Sequence, residues 1–227
     1  MNKAILIDMG DTIIHNYDVD YSRALSLVYE KSNNKNVSKA QYINYSLKIL
    51  ENIFSSREYI EFKMIDYLKQ INDHFNMTFD ISYSELELFF ALNSCKIKYV
   101  NNIELFLKHI KNKGYKIMIL SNTSFSKSVI VAMLGELVHY FDDIIVSSDY
   151  VFRKPHFSFF DIGISRIQFP KDKIYYIGNS YYFDVYGAYQ AGIKCIWFNE
   201  DKESKDEVLE AIYQEINSYL ELIEKDF

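Results

Sequence analysis

Residues 3–12 read Lys-Ala-Ile-Leu-Ile-Asp-Met-Gly-Asp-Thr. The apolar run stops at Asp8, and the chain turns at once through Gly10 and Asp11. A short apolar run bounded by turn formers predicts a buried strand with Asp8 at its carboxyl end. In open α/β sheets that is the end outside which ligands bind. Alone, an aspartate there reads more simply as an acidic turn residue on a surface hairpin. Three later segments change that reading.

Two further apolar runs end in polar turns: residues 117–120 before Ser121-Asn122-Thr123, and residues 174–177 before Gly178-Asn179-Ser180. Arg153-Lys154-Pro155 lies between them, and Asp184 opens Asp-Val-Tyr-Gly-Ala-Tyr-Gln-Ala-Gly after them. In this order the four segments resemble the motifs of the haloacid dehalogenase-like (HAD) hydrolase superfamily. Those motifs are a strand ending in Asp-x-Asp-Gly-Thr, a strand ending in Ser or Thr, a Lys-Pro, and a strand ending in Gly-Asp-x-x-x-x-Asp. The resemblance runs from residue 3 to about residue 198. Any one motif is a weak signal, whereas four in order are specific.

The composition fits a globular protein rather than a disordered or membrane one. A chain of 227 residues and 26.9 kDa can bury one sizeable core plus a small accessory domain. Hydrophobic residues make up 49% and charged residues 25%, as in globular proteins. The formal net charge of -6, with no basic run to offset it, disfavours a nucleic-acid backbone as partner. Cys95 and Cys195 lie far apart without neighbouring His or Cys at metal spacing, so both read as free thiols. The amino terminus carries a single Lys and an apolar run cut short by Asp8 and Asp11. It therefore reads as neither a signal peptide nor a membrane span, and a cytoplasmic location is expected.

Residues 13–16 can form a brief hairpin, after which the periodicity becomes helical. Asp20 is placed to cap a helix carrying Leu25, Val28 and Tyr29, and Ser38 to cap one carrying Ile43, Leu47, Leu50 and Phe54. The spacing predicts a third helix over residues 56–75, with Ile60, Met64, Leu68 and Ile71 on one face. Ser84-x-x-Glu87 predicts a capping box opening a fourth. Asn102 is placed to cap the next helix and Gly114 to end it. Strands and helices then alternate to residue 198, the pattern of a doubly wound parallel sheet. In the tail, Ser218-x-x-Glu221 predicts a last capping box, preceded by an edge strand over residues 213–216. The expected fold class is therefore α/β, with a Rossmann-like core over residues 1–15 and 91–227 and a helical insertion over residues 16–90. The resemblance implies that this insertion is a cap closing over the site and selecting the substrate. His15, Arg23 and Arg57 are candidates for cap side chains that face it.

If the core strands are parallel, Asp8, Ser121 and Asn179 emerge at one sheet edge. A carboxylate there can attack phosphorus and form an aspartyl-phosphate, which makes Asp8 the candidate nucleophile. Charge on the transferring oxygens calls for Lys154, the Ser121 hydroxyl and turn amides around Gly10 and Asp11, with Asn122 beside them. Magnesium would offset the repulsion between nucleophile and phosphate; its expected ligands are Asp8, the Gly10 carbonyl, and Asp184 or Asn179. Gly187, Ala188, Ala191 and Gly192 are small residues at helical spacing and read as packing positions. The partner expected from this set is a small phosphorylated metabolite such as a sugar phosphate or a nucleotide.

Two positions depart from the family pattern. Gly10 stands where most phosphatases of the superfamily have a general acid, and Asn179 stands where an Asp is usual. Asp11, one residue on, reads as a turn or capping residue rather than a displaced acid. Three readings follow. The first is a magnesium-dependent phosphatase whose leaving group needs little help. The second is a 2-haloacid dehalogenase, although the fourth motif keeps the phosphatase length. The third is a binding or regulatory protein on a hydrolase scaffold, although Asp8, Ser121, Lys154 and Asp184 all remain.

Overall fold

The computed structural model describes residues 3–56, 58–205, 212–225 and 227. Its sheet strands are β1 (Ala4–Ile7), β4 (Lys116–Ser121), β5 (Asp143–Val146), β6 (Ile174–Gly178), β7 (Lys194–Phe198) and β8 (Ile212–Ile216). They form one sheet of order β5-β4-β1-β6-β7-β8, every pairing parallel. All four residues of β1 are buried, as a central parallel strand covered on both faces must be.

Alternation along the strands explains the two layers. Ile5, Ile7, Ile117 and Ile119 point to one face, where they pack with α5 (Ile103–Asn112), α6 (Lys127–Leu134) and α9 (Leu220–Glu224). Ala4, Leu6, Met118 and Leu120 point to the other, against α7 (Phe157–Ile167) and α8 (Gly187–Ala191). The sheet is thus doubly wound, as the alternation of strand and helix predicts.

Between β1 and β4 the chain builds a third cluster from α1 (Tyr21–Lys31), α2 (Lys39–Ser56), α3 (Met64–His74) and α4 (Tyr83–Ser94). Residues 13–16 do not fold back on themselves. β2 (Ile14–Tyr17) instead pairs antiparallel with β3 (Lys96–Tyr99), so the chain enters and leaves the helical layer side by side. Asp20 caps α1 as expected, its carboxylate accepting from the Arg23 N–H at 2.9 Å.

Three local expectations are corrected. The third helix starts at Met64, and Ile60 is 61% exposed in the preceding loop, where it bridges to Phe152. The capping box of α4 uses Ser82 and Glu85. Glu87 is buried and serves another helix, its carboxylate accepting from the Ser126 N–H at 3.1 Å and from the Ser126 hydroxyl at 2.6 Å, at the start of α6. Asn102 precedes α5 in a left-handed conformation (φ 64°), and its side chain makes no capping bond. Gly114 does terminate α5, at φ 76°. Cys95 and Cys195 are free thiols.

Candidate active site

The register of the central strands explains why distant motifs meet. Ile7 of β1 stands opposite Ile119 of β4 and Ile177 of β6, so the residues that follow leave the sheet at one edge. Asp8 continues the ladder by donating its N–H to the Ile177 carbonyl at 2.8 Å, which fixes where its carboxylate emerges. Around it Gly10, Ser121, Lys154, Asn179 and Asp184 line one cavity of about 360 Å³.

At the floor of this cavity sits the Lys154 ammonium, only 2% exposed. It donates to Asp8 Oδ1 at 2.6 Å, to Asp184 Oδ1 at 2.7 Å and to the Tyr176 hydroxyl at 2.7 Å. All three of its donors are therefore used, which a buried ammonium requires. Burial alone would lower the affinity of Lys154 for its proton, but Asp184 and Asp8 together outweigh it and hold the ammonium above its ordinary pKa. For Asp8 the balance falls the other way. Burial pushes its carboxyl up to about 6, against the pull of Lys154.

Asp184 is fixed on both oxygens. Oδ1 accepts from Lys154 and from Tyr176, whose hydroxyl lies at 2.9 Å, and Oδ2 accepts the Ser180 N–H at 2.9 Å. It sits in a π-helical turn over Tyr181–Tyr186, a widened geometry common at functional sites. Gly178 is required by this arrangement, since an added Cβ would stand 2.4 Å from Asp184 Cγ. Gly187 has the packing role expected of it, because a Cβ there would lie 2.3 Å from the Phe160 ring.

The remaining expected residues divide. Ser121 is buried and lines the cavity at the end of β4. Asn122 lines it too, but its carboxamide binds the Lys154 main chain, accepting from the N–H at 2.8 Å and donating to the carbonyl at 3.0 Å. Asn179 lines the cavity, and its Oδ1 accepts one long bond, 3.4 Å, from the Thr12 hydroxyl. Asp11, at φ 52°, lines the rim of the cavity and binds His15 Nδ1 at 3.0 Å, as a turn residue would. His15 is held between Asp11 and Glu200, 3.2 Å from its Nε2. Arg23 is engaged by Asp18 and by the Asn93 carbonyl and does not line the cavity. Arg57 lies outside the described residues.

The structure adds three residues that the sequence did not single out. Tyr176 is interior to β6, where its run of Ile and Tyr reads as plain core; only its polar tip hinted at more. Arg153 lines the cavity beside Lys154, with its guanidinium 5.6 Å from the centre of the Phe183 ring. Its Nε lies 3.5 Å from the buried carboxylate of Glu61, which also accepts from the Ser147 hydroxyl at 3.0 Å. Glu61 comes from the loop between α2 and α3, so the helical layer touches the segment carrying the site lysine.

The donor set suits a hard cation. Asp8 and Asp184 give carboxylates, Asn179 a carboxamide and Gly10 a main-chain carbonyl, all oxygens and all on one cavity. Among the described residues no group of three or more His, Cys, Asp or Glu could hold a metal, so carboxylates alone do not complete the site.

The chain is similar to proteins of known name and to solved structures. A glyceraldehyde 3-phosphate phosphatase of Pyrococcus furiosus is 20% identical over 99% of this chain and 94% of its own length. One from Methanothermobacter thermautotrophicus is 27% identical over 40% of this chain and 41% of its own. Among solved structures, a HAD phosphatase from Thermococcus onnurineus has a TM-score of 0.65 at 24% identity, covering 98% of this chain and 97% of that one. A 2-haloacid dehalogenase from Pseudomonas syringae has a TM-score of 0.69 at 18% identity, covering 99% and 97%. Both structural likenesses speak for the fold. The model describing the haloacid dehalogenase-like hydrolases matches residues 5–198, across all four motifs and the cavity they line, and the chain belongs to that family of enzymes.

Proposed function

We propose that this hydrolase is a magnesium-dependent phosphatase that cleaves a small phosphate monoester through an aspartyl-phosphate on Asp8. The observation that carries the reading is the Lys154 ammonium shared between Asp8 and Asp184 on the floor of a cavity at the carboxyl edge of the sheet. Phosphoryl transfer needs a nucleophile and positive charge in one place, and this pair supplies both. The phosphatase names of the curated relatives support the same chemistry.

In the first step the Asp8 carboxylate bonds to phosphorus as the ester P–O bond breaks. Lys154 balances charge on the transferring oxygens and Ser121 donates a hydrogen bond to them. The leaving alkoxide takes its proton from solvent, since Gly10 holds none to give. Water then attacks phosphorus, the Asp8–phosphorus bond breaks, and inorganic phosphate leaves. Asp8, Asp184, Asn179 and the Gly10 carbonyl would hold magnesium, which supplies charge neutralisation between carboxylate and phosphate when bound. With Asn in place of a third carboxylate, the site would bind it more weakly. The helical layer α1–α4 serves as the cap, and the free cysteines suit a cytoplasmic setting.

The test is phosphate release from p-nitrophenyl phosphate and a sugar-phosphate panel, with and without magnesium, by the wild type and Asp8→Asn. Metal-stimulated release that vanishes in Asp8→Asn is expected. Turnover that survives the substitution removes the nucleophile. Metal-independent hydrolysis of 2-chloropropionate would assign a dehalogenase instead, and tight binding without turnover a regulatory protein.

A further inference from the structure

Resting on the phosphatase reading, we propose that the organic part of the substrate is compact and carries no charge of either sign. Two neighbouring spaces share lining residues with the phosphate site. One, of about 160 Å³, shares Asp11 and Asn179 with it and is walled by Glu200, Asp201 and Glu203. The other, of about 220 Å³, shares Gly10, Ser121 and Asn122 with it. The acidic space is smaller and would repel an anionic ester. The second space is where the leaving group goes.

Its walls define what fits. Met9, Tyr21, Phe125, Ile130 and Met133 give it an apolar lining, and its polar contributors are only neutral side chains such as Asn16 and Thr123. Among the described residues that line it there is no Lys, Arg, His, Asp or Glu. A carboxylate, a second phosphate or an ammonium placed there would lose its hydration without finding a partner of opposite charge. Part of the wall is braced by ring contacts, since Tyr21 stacks on Phe90 at 6.0 Å and Phe90 contacts Phe125 at 6.4 Å. The volume suits a short carbon chain or a single ring.

Gly10 is the doorway. It lines both spaces, and a Cβ built on it meets nothing within 4 Å. Its φ also lies outside the left-handed region, so the backbone itself does not demand glycine. What the glycine provides is an uncharged passage from the phosphate to the apolar wall.

Phosphonates, which cannot be hydrolysed, test the pocket without relying on turnover. Benzylphosphonate, its 4-carboxy and its 4-aminomethyl derivatives would be titrated by calorimetry into the magnesium-containing wild type and into Val19→Lys. Val19 lines the same space and is 54% exposed, so the change is made where the fold tolerates it. The neutral ligand should bind at least tenfold more tightly than either charged one. Val19→Lys should recover binding of the carboxylate several-fold and not of the ammonium. Equal affinity across the three, weakening of the anionic ligand alone, or binding of none would overturn the proposal. Discrimination among phosphonates in a protein that releases no phosphate from phenyl phosphate would uphold the pocket and remove only the hydrolysis.

Discussion

The Tyr176 hydroxyl lies 2.7 Å from the Lys154 ammonium, so a strand residue in the middle of the sheet supports the charge at its edge. That hydroxyl is fully buried, and burial followed by the nearby Asp184 charge raises its pKa well above the ordinary tyrosine value, so it stays protonated. It accepts from Lys154 and can donate to Asp184 Oδ1 at 2.9 Å or to the Leu120 carbonyl at 3.2 Å. Tyr176→Phe removes these bonds and leaves the ring in place. We expect about 1–3 kcal/mol lower stability by urea unfolding, the cost of buried partners left unpaired. A kcat about tenfold lower should accompany it, with KM little changed, because the ammonium loses one of its three anchors.

Lys154→Met tests the ammonium itself. It leaves Asp8 and Asp184 buried without the cation that both contact. Removing one partner of a buried charge network costs about 3–5 kcal/mol. The metal-free protein should show that loss in chemical denaturation, together with phosphatase activity at background. Magnesium should restore part of the Tm, since a cation at the same carboxylates replaces the missing charge.

The pH dependence follows from Asp8. Its carboxyl is pushed up to about 6 by burial, and in the proposed mechanism only the ionised form would attack phosphorus. The acid limb of kcat/KM should therefore fall near pH 6 at limiting magnesium and move lower as magnesium is raised. Stability runs in the opposite sense. The unfolded group titrates at about 3.9, so between that value and about 6 the folded state holds more protons. Its contribution is fully favourable below the unfolded value and is lost as pH rises through the folded one. The Tm of Asp8→Asn relative to wild type should thus increase from pH 4.5 to pH 7, which scanning calorimetry of the metal-free proteins can measure.

Gly10→Asp should fold normally, because a Cβ at Gly10 meets nothing within 4 Å and its φ lies outside the left-handed region. If the absent acid limits turnover, alkyl phosphates gain more from the new carboxyl than p-nitrophenyl phosphate, whose leaving group needs no proton. General acid catalysis is typically worth about 10²- to 10⁴-fold. The ratio of the two gains in kcat, measured on the same preparation, decides the point.

Lys154 and Asp184 stood out only through the order of four motifs that resembles the haloacid dehalogenase-like hydrolases, whereas Asp8 and Ser121 could be picked out from the linear chain because each ends a short apolar run. The parallel sheet was legible for the same reason: the alternation of Ile and Leu runs with helical spacing is a property of neighbouring residues. Local signals also misled. Ser84-x-x-Glu87 matches a capping box, yet Glu87 reaches across to Ser126 of another helix, an interaction between residues 39 positions apart. Tyr176 and Glu61 were invisible because a tyrosine among isoleucines, or a glutamate in a loop, gains meaning only from what stands opposite it. The sequence by itself determined the strand ends and the residue types that reach them. Tertiary structure alone decided that Lys154 is shared by two carboxylates, that Asn122 is turned to the lysine's backbone, and that an uncharged space opens beside Gly10. Each of those depends on distances across the fold, set by sheet register and helix packing.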